Sequence, residues 1–262
     1  MQVPVSIRQS RPWNFVERAA KKVFMPAPVA VRHAEYSMIL CADGARSAPT
    51  NRLFDVSLAA IDAARGEDLS FITARLRGRF RFPDGIAEVW PGEHYRLLAG
   101  LVRTLKPRCI VEIGTAEGMS ALALKKNLPP TGRIVTFDIV PWRSYPNPCL
   151  EDGDFQDGRL AQEVDDLGNA EAVERHRELL QGMDLLFIDA AKDGSLERRL
   201  IQNLESLHFD QSPLVVFDDI RVWNMLAIWH ELRWPKLDLT SFGHWSGTGL
   251  CELAPTEPAE LG

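Results

Sequence analysis

The chain has 262 residues, 45% of them hydrophobic and 25% charged, which suits one large globular domain or one domain with a substantial appendage. Its net charge of −6 offers no basic footprint for DNA or RNA, so no nucleic-acid partner is expected. Four scattered cysteines form no CxxC pair, the first residues lack signal-peptide character, and no apolar run approaches the roughly 20 residues that span a bilayer, so reduced thiols, a cytoplasmic location and no membrane partner are expected.

Residues 1–85 differ in pattern from the rest of the chain. Phe15–Val23 mixes apolar and basic residues at helical spacing, and Pro26 and Pro28 end that pattern. Leu53–Ala64 places Leu53, Val56, Leu58, Ala59 and Ile61 as an amphipathic helix; Leu69–Leu76 reads as another, and Gly78–Gly85 as a loop. This predicts an N-terminal helical extension acting as a lid, a dimerisation arm or both, so a homodimer is one expectation. Residues 86–262 read as one α/β domain. Its helices are expected at Gly92–Leu105, Met119–Asn127, Ala170–Leu180, Ser195–Leu207 and Val222–Leu232. Its strands are expected at Arg108–Ile113, Gly132–Phe137, Leu160–Val164, Asp184–Ile188, Pro213–Phe217, Leu237–Phe242 and Gly249–Leu253. Alternating elements make a doubly wound, mostly parallel seven-stranded sheet. The last two strands are joined too briefly for a crossover helix, so they should pair as a C-terminal antiparallel hairpin. Pro141–Gly158 is too long for a plain connection and reads as a functional loop.

The most informative stretch is residues 110–118, Ile-Val-Glu-Ile-Gly-Thr-Ala-Glu-Gly, followed by a helix and a second strand that ends on Asp138. A strand, glycine loop, helix and acid-ended strand cradle an adenosine-type cofactor: glycine lets the backbone approach the ligand, and the acid accepts from ribose hydroxyls. Glu112, Gly114, Thr115, Gly118 and Ser120 are the candidates around the loop, with Asp138 for the ribose. Asp165 and Asp166 follow the third strand, where an acid can meet the adenine, and both are candidates. A plain tight turn is the bland reading of the glycine loop alone. The Gly-x-Gly-x-x-Gly fingerprint is missing, which disfavours a nicotinamide dehydrogenase. Glu-x-Gly-x-x-x-Gly instead resembles motif I of class I S-adenosylmethionine-dependent methyltransferases, which have a Rossmann-like fold. The cofactor implied is S-adenosyl-L-methionine, with Gly114, Thr115 and Gly118 around its methionine end.

Two later strands also end on acids, at Asp189 and at Asp218-Asp219. Three carboxylates at neighbouring strand tips repel unless a cation holds them, and hard oxygen donors suit Mg2+, Mn2+ or Ca2+ rather than Zn2+. Asp189 also stands beside the cofactor loop and is a candidate there. Helix capping is the bland alternative, strongest for Asp219. With Lys192 three residues after Asp189, the pattern is similar to the metal-dependent O-methyltransferases typified by catechol and caffeoyl-coenzyme A O-methyltransferases, over roughly residues 89–253. The resemblance implies that Asp189 and Asp218 hold a divalent ion and that Lys192 removes the substrate proton. Asp219 departs from it, standing where that family has Asn. The implied reaction is O-methylation of a small hydroxylated acceptor, a phenol, catechol or sugar-like diol. An ion can acidify a phenol, whose pKa is otherwise near 10, and can chelate a diol. Metal-independent transfer to nitrogen or carbon is the alternative, and a non-catalytic module that keeps the pocket is a further rival.

Four other places bear on the site. His244, between the last two strands, reads as a second base or as a structural histidine. Glu93 opens the helix before the first strand, either touching the cofactor's amino-acid end or capping. Trp223 could wall the substrate, whereas Trp229 reads as core. His176 is expected in solvent, and Trp142-Arg143 beside the adenine or substrate.

Overall fold

The computed structural model describes residues 47–77 and 85–253. The helix expected at Phe15–Val23, Cys41 and most of the Gly78–Gly85 loop lie outside the described residues.

Seven strands form one sheet in the order β3-β2-β1-β4-β5-β7-β6. They are β1 (Cys109–Ile113), β2 (Arg133–Asp138), β3 (Leu160–Val164), β4 (Leu185–Ile188), β5 (Leu214–Asp218), β6 (Lys236–Asp238) and β7 (Thr248–Glu252). The first five run parallel, while β7 enters antiparallel between β5 and β6. Central strands are buried along their whole length, as parallel strands covered on both faces must be. Alternate residues feed two cores. Ile110, Leu185, Phe187 and Val216 point into one; Val111, Leu186, Ile188 and Val215 point into the other. Strand order reverses between β1 and β4, which opens a crevice at their carboxyl ends.

The helices fall in chain order as α1 (Asn51–Arg65), α2 (Ser70–Leu76), α3 (Tyr95–Leu105), α4 (Met119–Lys126), α5 (Ala170–Arg175), α6 (Arg177–Gln181), α7 (Ser195–Glu205) and α8 (Met225–Glu231). Thr50 caps α1 by accepting from the Leu53 amide at 3.1 Å. Leu53, Ala60 and Ala64 of α1 are buried against α3. Gly100 permits that contact, since a Cβ there would lie 2.4 Å from the Ala60 carbonyl oxygen. Among the described residues no helix is long and apolar enough to cross a membrane.

Three local expectations change. The helix expected at 170–180 breaks into α5 and α6 at His176. The strand expected at 237–242 stops at Asp238, whose Oδ1 accepts from the Thr240 amide at 2.8 Å and starts a 3-10 turn. The long 141–158 loop carries 3-10 turns at Trp142–Ser144 and Asp152–Phe155. Arg75 of α2 clasps that loop through Asp154 at 2.6 and 3.0 Å.

Candidate active site

At the tips of β1, β2 and β4 lies a cavity of about 350 Å3, lined by Gly114, Asp138, Tyr145, Asp165, Asp166 and Asp189 among others. Asp138 ends β2 with its carboxylate fixed from two sides. Its Oδ2 accepts from the Ala116 amide at 2.9 Å and the Tyr145 hydroxyl at 3.2 Å, and its Oδ1 from the Val140 amide at 3.1 Å. Gly114, at φ 102°, brings the loop so close to β4 that a Cβ would sit 2.0 Å from the Asp189 carbonyl oxygen. Gly118, at φ 85°, serves packing rather than the cavity: a Cβ there would lie 2.2 Å from the Leu150 side chain.

Several expected cofactor residues stand behind the cavity wall. Thr115 is buried and its hydroxyl pairs with that of Thr136 at 2.7 Å. Glu112 is fully buried, and burial pushes its carboxyl up to about 7 against the pull of Ser120 and Thr136. Asp165 and Asp166 both line the cavity, with different partners. Asp165 is held by Arg175 at 2.8 Å and His176 at 3.1 Å, and Arg175 first, then the Asp166 amide and His176, draw its carboxyl below the usual range despite burial. Asp166 Oδ1 accepts from the Gly168 amide at 2.8 Å. His176 therefore faces Asp165 and the Phe137 ring rather than open solvent. Trp142 is buried, stacked on Phe155 at 5.5 Å with Arg143 over it, and it borders a separate surface hollow. The loop residue that does reach the cavity is Tyr145, which sequence reasoning missed.

Beside the cavity, the tips of β4, β5 and β7 hold an array of charged groups. Asp218, at the end of β5 and 2% exposed, is its hub. His244 Nδ1 lies 3.1 Å from Asp218 Oδ1, and His94 Nδ1 lies 3.3 Å from the same oxygen. Burial raises the Asp218 carboxyl, but His94 and His244 outweigh it and hold the carboxylate far below its ordinary value. Lys192 Nζ lies 2.6 Å from Asp189, 3.6 Å from Asp218 and in contact with Asp219. Burial would lower the Lys192 pKa, yet Asp189, Asp218 and Asp219 together keep the ammonium well above a free lysine. His244 behaves likewise: burial opposes its charge, while Asp218 and Asp219 lift it to about 10. Its Nε2 faces Glu93 at 3.5 Å. Burial raises the Glu93 carboxyl, partly offset by His244. Glu93 thus lies against the histidine array and is not among the cavity's lining residues.

The chain strains its backbone to build this array. Lys192, Asp219 and Trp223 all take left-handed φ values, of 60°, 59° and 49°. Residues 92–95 reach the segment before β7 through Gly92, whose amide donates to the Gly243 carbonyl at 3.1 Å and whose carbonyl accepts from the Trp245 amide at 3.0 Å. Trp223 is 43% exposed and Trp245, whose ring meets that of His244 edge-on at 5.6 Å, is 72% exposed, while Trp229 is buried under Gly249.

The three acids do not form the oxygen-only set expected. Donor atoms that lie within 4.8 Å of one another group as His94, Asp189 and Asp218, and as Asp218, Asp219 and His244. Asp189 and Asp219 fall in different groups and share Lys192 instead. The physical reason is charge: two imidazoles and an ammonium fill the space that mutual repulsion would otherwise open. Among the described residues, both ring nitrogens of buried His94 lack a hydrogen bond. Carboxylates and orphaned imidazole together form a donor set that fits a divalent ion.

A family model described as O-methyltransferase matches residues 86–224, more than half of the 262. The fold resembles a Bacillus cereus O-methyltransferase solved with SAH, at 20% identity and a TM-score of 0.52, covering 76% of this chain and 97% of that one. It also resembles an SAH-bound Podospora anserina methyltransferase, at 20% identity and a TM-score of 0.50, covering 79% and 98%. No curated protein matches the sequence. Sheet order, glycine loop and acid-ended β2 define a class I S-adenosylmethionine-dependent methyltransferase. Within that class, the chain belongs to the O-methyltransferase family.

Proposed function

We propose that this enzyme methylates a hydroxyl of a small acceptor, a phenol, catechol or sugar-like diol, with help from a divalent ion. One observation carries the reading: Asp189 borders the cofactor cavity and also belongs to the charged array, so methyl donor and acceptor chemistry meet at one side chain. S-adenosylmethionine would lie with its ribose on Asp138. Its adenine would face Asp166 rather than Asp165, whose oxygens Arg175 and His176 already occupy. Trp223 and Trp245 would flank the acceptor, since exposed aromatic faces suit a planar ring or the apolar face of a sugar.

Asp189 and Asp218 would hold the ion, which when bound stabilises an acceptor oxyanion and orients a diol. The remaining work belongs to the chain. Asp218 fixes His244 through Nδ1 and leaves Nε2 toward Glu93 on the acceptor side. Of the two bases expected, His244 gives up its proton more readily. Its carboxylate neighbours lift it to about 10, so it serves as a base only after losing its own proton, whereas the Lys192 ammonium is paired with three carboxylates. Lys192 then acts as a fixed positive charge that aligns Asp189 and Asp219.

Metal-independent transfer is the second reading, and one observation favours it: Lys192 already neutralises the acids that an ion would bind. Turnover of S-adenosylmethionine against a panel of phenols and diols, with and without EDTA, separates the two. Loss of activity in EDTA with recovery on adding an ion is expected; full activity in chelator rejects the metal-assisted reading.

A further inference from the structure

Resting on that divalent-ion reading, we infer that His94 is a ligand of the ion and that the site selects a borderline first-row metal such as Co2+ or Zn2+ over Mg2+. His94 immediately precedes α3 and is 3% exposed. A buried imidazole normally finds at least one hydrogen bond, because a buried polar group left unpaired keeps its full desolvation penalty. Among the described residues, neither ring nitrogen of His94 makes one in good geometry. Its Nδ1 approaches Asp218 Oδ1 at 3.3 Å, an ion-pair distance without hydrogen-bond geometry.

The groups around the ring supply the missing partner. One donor each from His94, Asp189 and Asp218 lies within 4.8 Å of the other two. Two metal–ligand bonds of roughly 2.0–2.2 Å span about 4 Å, so a small adjustment puts all three on one ion. The ring is confined, with Tyr95 at 4.4 Å and both Phe187 and His244 at 5.3 Å between centroids.

Donor chemistry then decides the metal. Mg2+ and Ca2+ take oxygen ligands, whereas imidazole suits Zn2+, Co2+ and their neighbours. A second imidazole, His244, stands within 4.8 Å of donors on Asp218 and Asp219 and strengthens the same preference.

The test uses the full-length protein, stripped by chelator and titrated calorimetrically with Co2+, Zn2+ and Mg2+. S-adenosylhomocysteine binding is measured on the same samples. Co2+ and Zn2+ should bind at least about a hundredfold more tightly than Mg2+. His94→Gln should weaken Co2+ binding by about tenfold or more while S-adenosylhomocysteine affinity stays unchanged. Equal affinity for Mg2+, or Co2+ binding untouched by His94→Gln, overturns the inference. Binding of S-adenosylhomocysteine with no ion binding overturns it together with the metal-assisted reading, yet leaves the methyl-donor site standing. Should the variant not fold, Co2+-soaked crystals of the unaltered chain decide. An anomalous peak at bonding distance from a His94 ring nitrogen supports the assignment, and a peak on carboxylates alone rejects it.

Discussion

At the tips of β1 and β2 the backbone does most of the holding, whereas at the tips of β4, β5 and β7 nearly every group is charged. Asp138 is fixed by two amides and a tyrosine hydroxyl, all neutral. Asp218 meets two histidines and a lysine. Neutral donors hold a neutral ribose without forcing a protonation state. Opposed charges in a dry site store electrostatic energy that changes when a proton leaves the acceptor. Under the proposed function, one half binds the donor and the other carries the chemistry, with Asp189 between them.

The sharpest way to break that division is Asp218→Asn. Removing the hub charge strands His94, His244 and Lys192, so kcat should fall roughly 10^3-fold. Donor affinity should stay within about threefold, because Asp218 does not line the cofactor cavity. Steady-state kinetics beside calorimetry with S-adenosylhomocysteine read both quantities. If donor binding collapses as far as kcat, the two halves are one unit and the division fails.

Glu112→Gln probes the cofactor half from beneath. The folded carboxyl sits near 7, above its ordinary 4.5, so the folded state binds the proton more tightly than the unfolded chain does. Stability from this group is therefore fully present below 4.5 and lost as pH rises towards 7. The loss is on the order of 3 kcal/mol above that window. Denaturant unfolding at pH 4.5 and pH 8 should show a smaller pH dependence in the variant. Identical slopes in both proteins would mean that the buried carboxyl is solvated after all.

Asp138→Ala should weaken donor binding about thirtyfold, or roughly 2 kcal/mol, through lost charge-assisted hydrogen bonds. At saturating donor its kcat should match that of the unaltered chain. A kcat defect that persists at saturation would show that Asp138 also aligns the methyl group.

The division also explains what the sequence made legible. Strand tips are readable because apolar runs end abruptly on acids, and Asp138, Asp189 and Asp218 all sit where those runs predict. Gly114 was readable because only glycine fits φ 102° against a carbonyl. The partners of Asp218 were not. His94 precedes the first strand and His244 the last, and they meet only because Gly92 bridges to His244 beside β7. No local spacing encodes a contact between segments so far apart in the chain. Asp219 shows the same limit: its Oδ1 accepts from Ser246, a partner no periodicity predicts. Tyr145 lies in a loop without periodicity, so nothing in the pattern aimed it at Asp138.

That tyrosine gives the smallest effect and the finest test of the comparison. Its hydroxyl donates to Asp138 Oδ2 at 3.2 Å, the longer of the two bonds to that oxygen, since the Ala116 amide donates at 2.9 Å. Tyr145→Phe removes one donor and keeps the ring that walls the cavity. Asp138 stays oriented by the amides of Ala116 and Val140. The expected cost is about 0.5–1 kcal/mol, a roughly threefold weaker donor affinity with no change in kcat. A loss above about tenfold would contradict a backbone-built cofactor half. It would mean that the 141–158 loop, clasped to α2 through Arg75 and Asp154, sets the carboxylate's position, so that donor affinity depends on how that loop is anchored.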